Sequence, residues 1–163
     1  MIIQLKNKDT LIVDDFKLKC CIGKNGIKLN KREGDYSTPK GLFDLGILYF
    51  RKDRNYKPKT KVKSKIIKKN MGWCDDSTNK FYNKEVLMNN STKCEKLFRK
   101  DNTYDLFLVV EYNTKKSLPH KGSAIFIHLT KNYKPTAGCI ALKKKDFLIL
   151  IKLIKKKTKI RIN

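Results

Sequence analysis

The chain has 163 residues, of which 40% are hydrophobic and 10% aromatic. That composition suits one packed domain over residues 1–163 and excludes a collagen-like, low-complexity or disordered chain. Lys and Arg number 39 against 15 Asp and Glu, a formal charge of +24. Because 34 of the 39 are Lys and base readout favours Arg, we predict no specific nucleic-acid partner. No apolar run approaches the roughly 18 residues of a membrane span, so none is predicted.

The first part of the chain predicts short strands separated by polar turns. Apolar residues alternate with Lys along residues 16–22, as in a half-buried strand. The polar segment 23–41 predicts a tethered or functional loop, because long loops without structure are uncommon in compact domains. Strands are predicted at residues 1–5, 10–13, 16–22 and 42–50.

The middle of the chain is less regular. Residues 51–70 carry eight Lys and predict a solvated surface excursion or an edge strand. Residues 75–83 predict a turn, and residues 94–100 a short helix. The fold expected so far is mainly β.

The last part predicts the remaining strands and one helix. Strands are predicted at residues 105–112, 122–129, 139–142 and 160–162. Apolar residues recur at helical spacing in residues 144–155, which predicts an amphipathic helix directly after the strand that begins at Cys139. The expected fold class is therefore mainly β with α.

The five cysteines do not form a recognisable metal site. They are Cys20, Cys21, Cys74, Cys94 and Cys139, with no CxxC pair among them. An odd number at these spacings argues against both a zinc site and a disulfide framework. We therefore predict no metal and no cofactor.

The most informative segment is GSAIFIHLTKNYKPTAGCIAL, residues 122–142. His128 lies near the end of one predicted strand and Cys139 at the head of the next. Two antiparallel strands joined by the intervening loop would bring both side chains to one end of a sheet. A thiol nucleophile needs such an imidazole to take its proton. Spacing alone also fits an inert buried cysteine and a satisfied core histidine.

Four blocks of this sequence, in order, resemble the YkuD-type L,D-transpeptidases. In that family a His ends one strand and a Ser/Thr-x-Gly-Cys element opens the next; here these are His128 and residues 136–139. KREGDYSTPKGLF (31–43) is similar to the upstream element, whose Thr-Pro-x-Gly-x-Phe core is residues 38–43. MGWCDD (71–76) and YDLFLVVEYN (104–113) look like a small branch of the family without a signal segment.

The resemblance implies a β-sandwich-like catalytic domain with a helix after the strand of the nucleophile. It implies acyl transfer on peptidoglycan stem peptides or muropeptides, with a thioester on Cys139 and His128 as the base. Gly138 and Thr136 would support the backbone amides of an oxyanion hole. It also implies that carbapenem-type inhibitors acylate Cys139.

Three positions depart from the family pattern and leave the substrate open. Ala137 replaces a frequent His, Leu129 a frequent Gly, and Ala141 a frequent Arg that would hold a substrate carboxylate. The alternatives are therefore a thiol-dependent L,D-carboxypeptidase or amidase, and a catalytically silent basic binding module of the same fold.

Several other residues are candidates for substrate binding. Arg32, Lys131 and Lys134 are candidate replacements for the missing Arg, although each also fits an ordinary surface charge. Trp73 fits a packing anchor better than a substrate platform. Asp75 fits either an amine-binding group or a turn residue.

The location of the protein stays open at this stage. The family's substrate implies the cell wall or periplasm. The first ten residues, MIIQLKNKDT, contain no apolar signal core, which leaves the cytoplasm as the other expectation.

Overall fold

A computed structural model describes residues 1–88 and 94–163. In chain order the elements of these residues are β1 (Ile2–Lys6), β2 (Thr10–Val13), β3 (Phe16–Cys21), β4 (Ile27–Lys28), β5 (Thr38–Pro39), β6 (Gly41–Phe50), β7 (Ser64–Ile66), β8 (Met71–Trp73), β9 (Glu85–Leu87), β10 (Glu95–Lys96), β11 (Leu106–Val110), β12 (Phe126–Leu129), β13 (Ile140–Leu142), α1 (Lys144–Leu153) and β14 (Lys159–Ile162).

The large sheet closes on itself. Its strand order is β11-β12-β13-β3-β2-β1-β14-β6-β7, and β11 also pairs with β6, which leaves β7 outside the ring. β7 therefore lies at an edge within the Lys-rich segment 51–70, for which an edge strand was one of the two predictions. For the residues that the structure describes, the mainly β fold with one late helix is confirmed, and the strand-rich sheet is barrel-like.

Alternation of side chains explains why these segments are strands. In β3, Leu18 and Cys20 are buried while Lys17 and Lys19 are exposed. Such a two-residue period buries one face of a strand and solvates the other. The predicted strands in the first and last parts of the chain therefore agree with the structure to within a few residues at most ends.

Helix α1 buries one face against the barrel. Phe147, Leu150 and Ile151 are its buried residues. Asp146 in its first turn and Lys152 in its last turn complement the helix dipole. The helix ends before the predicted residue 155, because the backbone of Ile154 is already extended. Within the two described ranges, no helix is long and apolar enough to cross a membrane.

Two predictions of local structure are wrong. Residues 94–100 contain β10 instead of a helix, because Glu95 and Lys96 pair with β8. β12 and β13 are parallel, with His128 opposite Ala141. The connection between them returns along the sheet and is anchored where Thr136 bridges Gly23.

An aromatic cluster covers the face of the sheet opposite the barrel interior. Its ring stacking includes Tyr49 on Phe107, with centroids 4.7 Å apart, and Trp73 edge-on to Phe126 at 5.0 Å. Trp73 comes from a small sheet with the order β10-β8-β9. Cys139 packs into the same cluster, so these aromatic rings form the support beneath the candidate site.

Candidate active site

Cys139 lies directly before β13, and its side chain is buried. The thiol donates a hydrogen bond to the carbonyl of Ala124 at 3.1 Å and accepts one from the amide of Phe126 at 3.3 Å. Both partners belong to the neighbouring chain segment at the start of β12. The sulfur therefore has a fixed position at the start of β13, beside the start of β12.

The turn before Cys139 depends on Gly138 and Thr136. Gly138 has φ +142°, and a Cβ atom there would lie 2.8 Å from the carbonyl oxygen of Ser37, so only glycine fits. The Thr136 hydroxyl donates to the Cys139 carbonyl at 2.6 Å and accepts from the Gly138 amide at 3.1 Å. The two residues thus shape the backbone that presents the thiol.

The upstream Thr-Pro element is hydrogen-bonded to this turn. The fully buried Thr38 hydroxyl donates to the Gly138 carbonyl at 2.8 Å and accepts from the Gly23 amide at 3.0 Å. The hydroxyl satisfies two buried backbone groups that are 115 positions apart in the chain. Thr38 therefore connects the long segment 23–41 with the candidate nucleophile.

The contacts of His128 define its tautomer. Nδ1 lies 2.9 Å from the carbonyl oxygen of Leu129, which can only accept, so Nδ1 carries the proton. Nε2 of the neutral ring is then an acceptor, as a general base requires. The ring packs edge-on to Tyr104 with centroids 5.5 Å apart. Sequence and structure thus provide an imidazole of fixed orientation.

Burial keeps both candidate groups neutral at pH 7. It lowers the pKa of His128 to about 4, chiefly through desolvation. It raises the pKa of Cys139 to about 12, and the nearby Glu95 carboxylate adds to that shift. The resting pair is therefore a thiol and a neutral imidazole, and the thiol's hydrogen bonds in the described chain are to backbone groups.

Cys139 and His128 line the same cavity, which has a volume of about 1020 Å³. The predicted residues Thr136, Lys134 and Asp75 also line it. The cavity is large enough for a peptide substrate. The structure thus brings these five residues together around one space.

Two other sequence candidates lie elsewhere. Arg32 is exposed and is absent from the walls of the cavity. Trp73 is buried, packs on Phe126 and donates from Nε1 to Asn83 at 2.9 Å. It is a packing anchor beneath the sheet.

Glu95, Arg99 and Tyr104 are among the cavity residues that the sequence reasoning missed. The Tyr104 hydroxyl donates to Glu95 at 2.5 Å, and the Arg99 guanidinium lies 5.3 Å from the centroid of the Tyr104 ring. Tyr104 lies in one of the four blocks that resemble the family. Glu95 and Arg99 lie outside these blocks, in the segment 94–100 that was wrongly predicted to be a helix. In the described ranges, no group of three or more His, Cys, Asp or Glu side chains could hold a metal ion.

Comparisons with known proteins agree with this fold. The family model YkuD, L,D-transpeptidase catalytic domain, matches residues 2–162. A mutant of the helical cell shape determining protein Pgp2 from Campylobacter jejuni is similar, with a TM-score of 0.50 and 17% identity over 99% of this chain and 46% of that one. A second Pgp2 structure has a TM-score of 0.49 and 18% identity over the same shares. The chain thus spans about half the length of those proteins. No curated protein sequence matches it.

Proposed function

The chain belongs to the YkuD family of L,D-transpeptidase catalytic domains, and on that premise we propose that it is a cysteine-dependent acyltransferase acting on peptidoglycan stem peptides. One observation carries the proposal. The buried Cys139 thiol and a His128 ring with an accepting Nε2 line one cavity of about 1020 Å³. A nucleophile and a base facing the same peptide-sized space are what acyl transfer requires.

In the first half-reaction the Cys139 sulfur attacks the carbonyl that joins the L-centre of a diamino acid to a terminal D-alanine. His128 accepts the thiol proton at Nε2 and returns it to the leaving amine. The C–N bond breaks, D-alanine leaves, and a thioester remains on Cys139. In the second half-reaction an amine of another stem peptide attacks the thioester, His128 takes its proton, and the thiol is regenerated.

Because the Cys139 thiol and the His128 imidazole are both neutral before substrate binds, the first proton transfer coincides with the attack of the sulfur. With a thiol pKa of about 12 and an imidazole pKa of about 4, an ion pair is unfavourable before substrate binds. Proton transfer from Cys139 to His128 therefore accompanies the attack on the carbonyl. The thiol's hydrogen bond to Ala124 must also break at that moment.

Backbone amides of the turn would stabilise the tetrahedral oxyanion. The amide of Gly138 already donates to the Thr136 hydroxyl. We therefore assign the oxyanion to the amides of Ala137 and Cys139, which flank Gly138 in the same turn. Thr136 and Gly138 support this arrangement by fixing the turn.

Arg99 is our candidate for the group that holds the terminal carboxylate. Ala141 leaves no cation at the usual family position, whereas Arg99 lines the cavity. In the described part of the chain, Asp101 engages Nε and Nη2 of its guanidinium, which leaves Nη1 for a ligand. Arginine suits a carboxylate because its planar donors bind it in a fixed orientation.

The second candidate function is L,D-carboxypeptidase activity. Ala141 is the observation that favours it, because a different carboxylate holder changes how the donor peptide lies in the cavity. Water in place of the acceptor amine would then release the tripeptide. The carboxypeptidase would use the same Cys139 and His128.

The deciding experiment incubates purified protein with a disaccharide-tetrapeptide muropeptide and reads the products by mass spectrometry. We expect loss of D-alanine together with a cross-linked dimer. C139A and H128Q should abolish both products, while C20A, which removes another buried thiol, should leave them unchanged. Loss of D-alanine without a dimer would assign the carboxypeptidase. An unchanged muropeptide would reject both and favour a binding module.

Inhibitor and ligand experiments test the individual residues. A carbapenem should add its mass to the peptide that contains Cys139, and an unmodified free thiol after long exposure would contradict the nucleophile assignment. In a C139A background, R99Q should weaken binding of a tetrapeptide at least tenfold. It should leave binding of the same peptide with a C-terminal amide unchanged. Equal effects on both ligands would reject Arg99 as the carboxylate holder.

A further inference from the structure

Two cysteines outside the candidate catalytic pair face each other across the small sheet. We propose that Cys74 and Cys94 are a modification site, where a low-molecular-weight disulfide such as oxidised glutathione converts the two thiols into a cross-strand disulfide. Both are free thiols in the structure. The proposal is independent of the acyltransferase function.

The strand register places these cysteines directly opposite each other. β10 pairs antiparallel with β8, with Glu95 opposite Trp73 and Lys96 opposite Gly72. One step further along the same register, Cys94 is opposite Cys74. The two residues are therefore cross-strand neighbours although they are 20 positions apart in the chain.

The hydrogen-bonding pattern identifies the type of pair. The amide of Leu97 donates to the carbonyl of Met71 at 3.1 Å, so these two residues form a hydrogen-bonded pair. Pair types alternate along an antiparallel ladder, which makes Cys94 and Cys74 a non-hydrogen-bonded pair. Such pairs have Cα atoms about 4.5 Å apart, within the range that a disulfide spans.

Both sulfurs lie on the same face of the small sheet. A Cβ atom added to Gly72 would lie only 2.5 Å from the Cys94 sulfur, so that sulfur lies over the glycine. Gly72 and Cys74 are two residues apart and therefore share a face. Rotation about χ1 of Cys94 moves its sulfur along this face toward Cys74 and needs no change in the register.

The exposure of the two thiols sets the order of the exchange. Cys94 is partly exposed and Cys74 is fully buried. The Cys94 thiolate attacks the small disulfide, forms a mixed disulfide and releases one small thiol. Cys74 then attacks the Cys94 sulfur and releases the second. Each protein thiol gives its proton to a departing thiolate, and the two electrons reduce the small disulfide.

The disulfide would restrict the movement of one wall of the cavity. Asp75 and Glu95 each follow one of the two cysteines in the chain, and both line the cavity beside Cys139. A covalent bond between β8 and β10 would tie the strand of Glu95 to the strand of Trp73. It would also close a loop of about 20 residues, which constrains the unfolded chain.

The test treats the 163-residue chain with oxidised glutathione, alkylates the remaining thiols under denaturing conditions and maps the peptides by mass spectrometry. We expect five alkylated cysteines before oxidation and three after it. One linked pair of peptides should contain Cys74 and Cys94. The melting temperature should rise by about 5 °C or more relative to the reduced protein.

Variants distinguish this pair from the alternatives. C94S should abolish the linked peptides and the thermal shift, whereas C20S should retain both. Five alkylated cysteines after oxidation would overturn the proposal. Linkage of Cys94 to Cys139, or of Cys20 to Cys21, would also overturn it. Because the mapping uses the unmodified sequence, a variant that fails to fold does not affect the result.

Discussion

The protonation state of Cys139 can be tested by its rate of alkylation as a function of pH. A pKa of about 12 leaves about one thiolate in 10⁵ at pH 7 and about one in 10³ at pH 9. The rate with iodoacetamide should therefore rise about tenfold per pH unit from pH 6 to 10, without a plateau. Desolvation is the main cause, and the Glu95 carboxylate is the second.

The assay resolves each cysteine by mass spectrometry of its own peptide, with glutathione as a free-thiol reference in the same tube. E95Q should raise the rate of Cys139 at a fixed pH of 8, because it removes the negative charge that opposes ionisation. D53N, at an exposed site in the segment after β6, should have no effect. A plateau below pH 8 would mean that a thiolate–imidazolium pair exists at rest, and would refute the reasoning.

Three further substitutions test the support of the site, each by urea unfolding. T38V should lower the free energy of unfolding by about 2–4 kcal/mol, because two buried backbone groups lose their partner. The control T10V, on the partly exposed β2, should lower it by less than about 0.5 kcal/mol. Equal losses would contradict the role of the Thr38 hydroxyl as that partner. The folded pKa of His128, about 4 against 6.5, should give about 3 kcal/mol of stability above pH 6.5 that is lost as the pH falls to 4. H128Q should remove that pH dependence. An unchanged slope of unfolding free energy against pH would argue against His128 as its cause. W73A should cost about 3–5 kcal/mol, whereas a substrate platform would lose activity with little change in stability.

The sequence predicted the elements whose signal is local. The two-residue period of β3 and the helical spacing of α1 follow from which side chains must be buried. The pairing of β12 with β13 does not. The intervening segment looks like a hairpin loop, but it returns to make a parallel strand because Thr136 bridges Gly23 far away in the sequence. No local pattern records that contact.

The candidate site shows the same division. Cys139 and His128 are marked by a motif, and Thr136 and Gly138 by their place in it. Arg99 and Glu95 carry no motif, and only the pairing of β10 with β8 brings their segment to the cavity. Arg32 was a candidate for binding the substrate carboxylate because arginine binds carboxylates. The residue type alone, however, does not determine whether a loop residue faces the cavity or the solvent.

The charge of the cavity lining differs from the charge of the chain as a whole. The chain carries +24 overall, yet one third of its 15 acidic residues line this cavity: Glu33, Asp75, Glu95, Asp101 and Asp105. Two of the cations there form ion pairs, Lys31 with Asp35 at 2.8 Å and Arg99 with Asp101 at 2.6 Å. The excess of Lys therefore belongs to the outer surface.

This separation predicts two different responses to salt. Under the proposed function, a soluble, small muropeptide is bound by short contacts inside the cavity, so raising NaCl from 50 to 500 mM should change kcat/KM less than about threefold. Retention on an anionic polymer depends on exposed Lys and should fall at least about tenfold over the same range. If kcat/KM fell in parallel with retention, the outer lysines would take part in substrate capture. The cavity would then be only one part of the binding site.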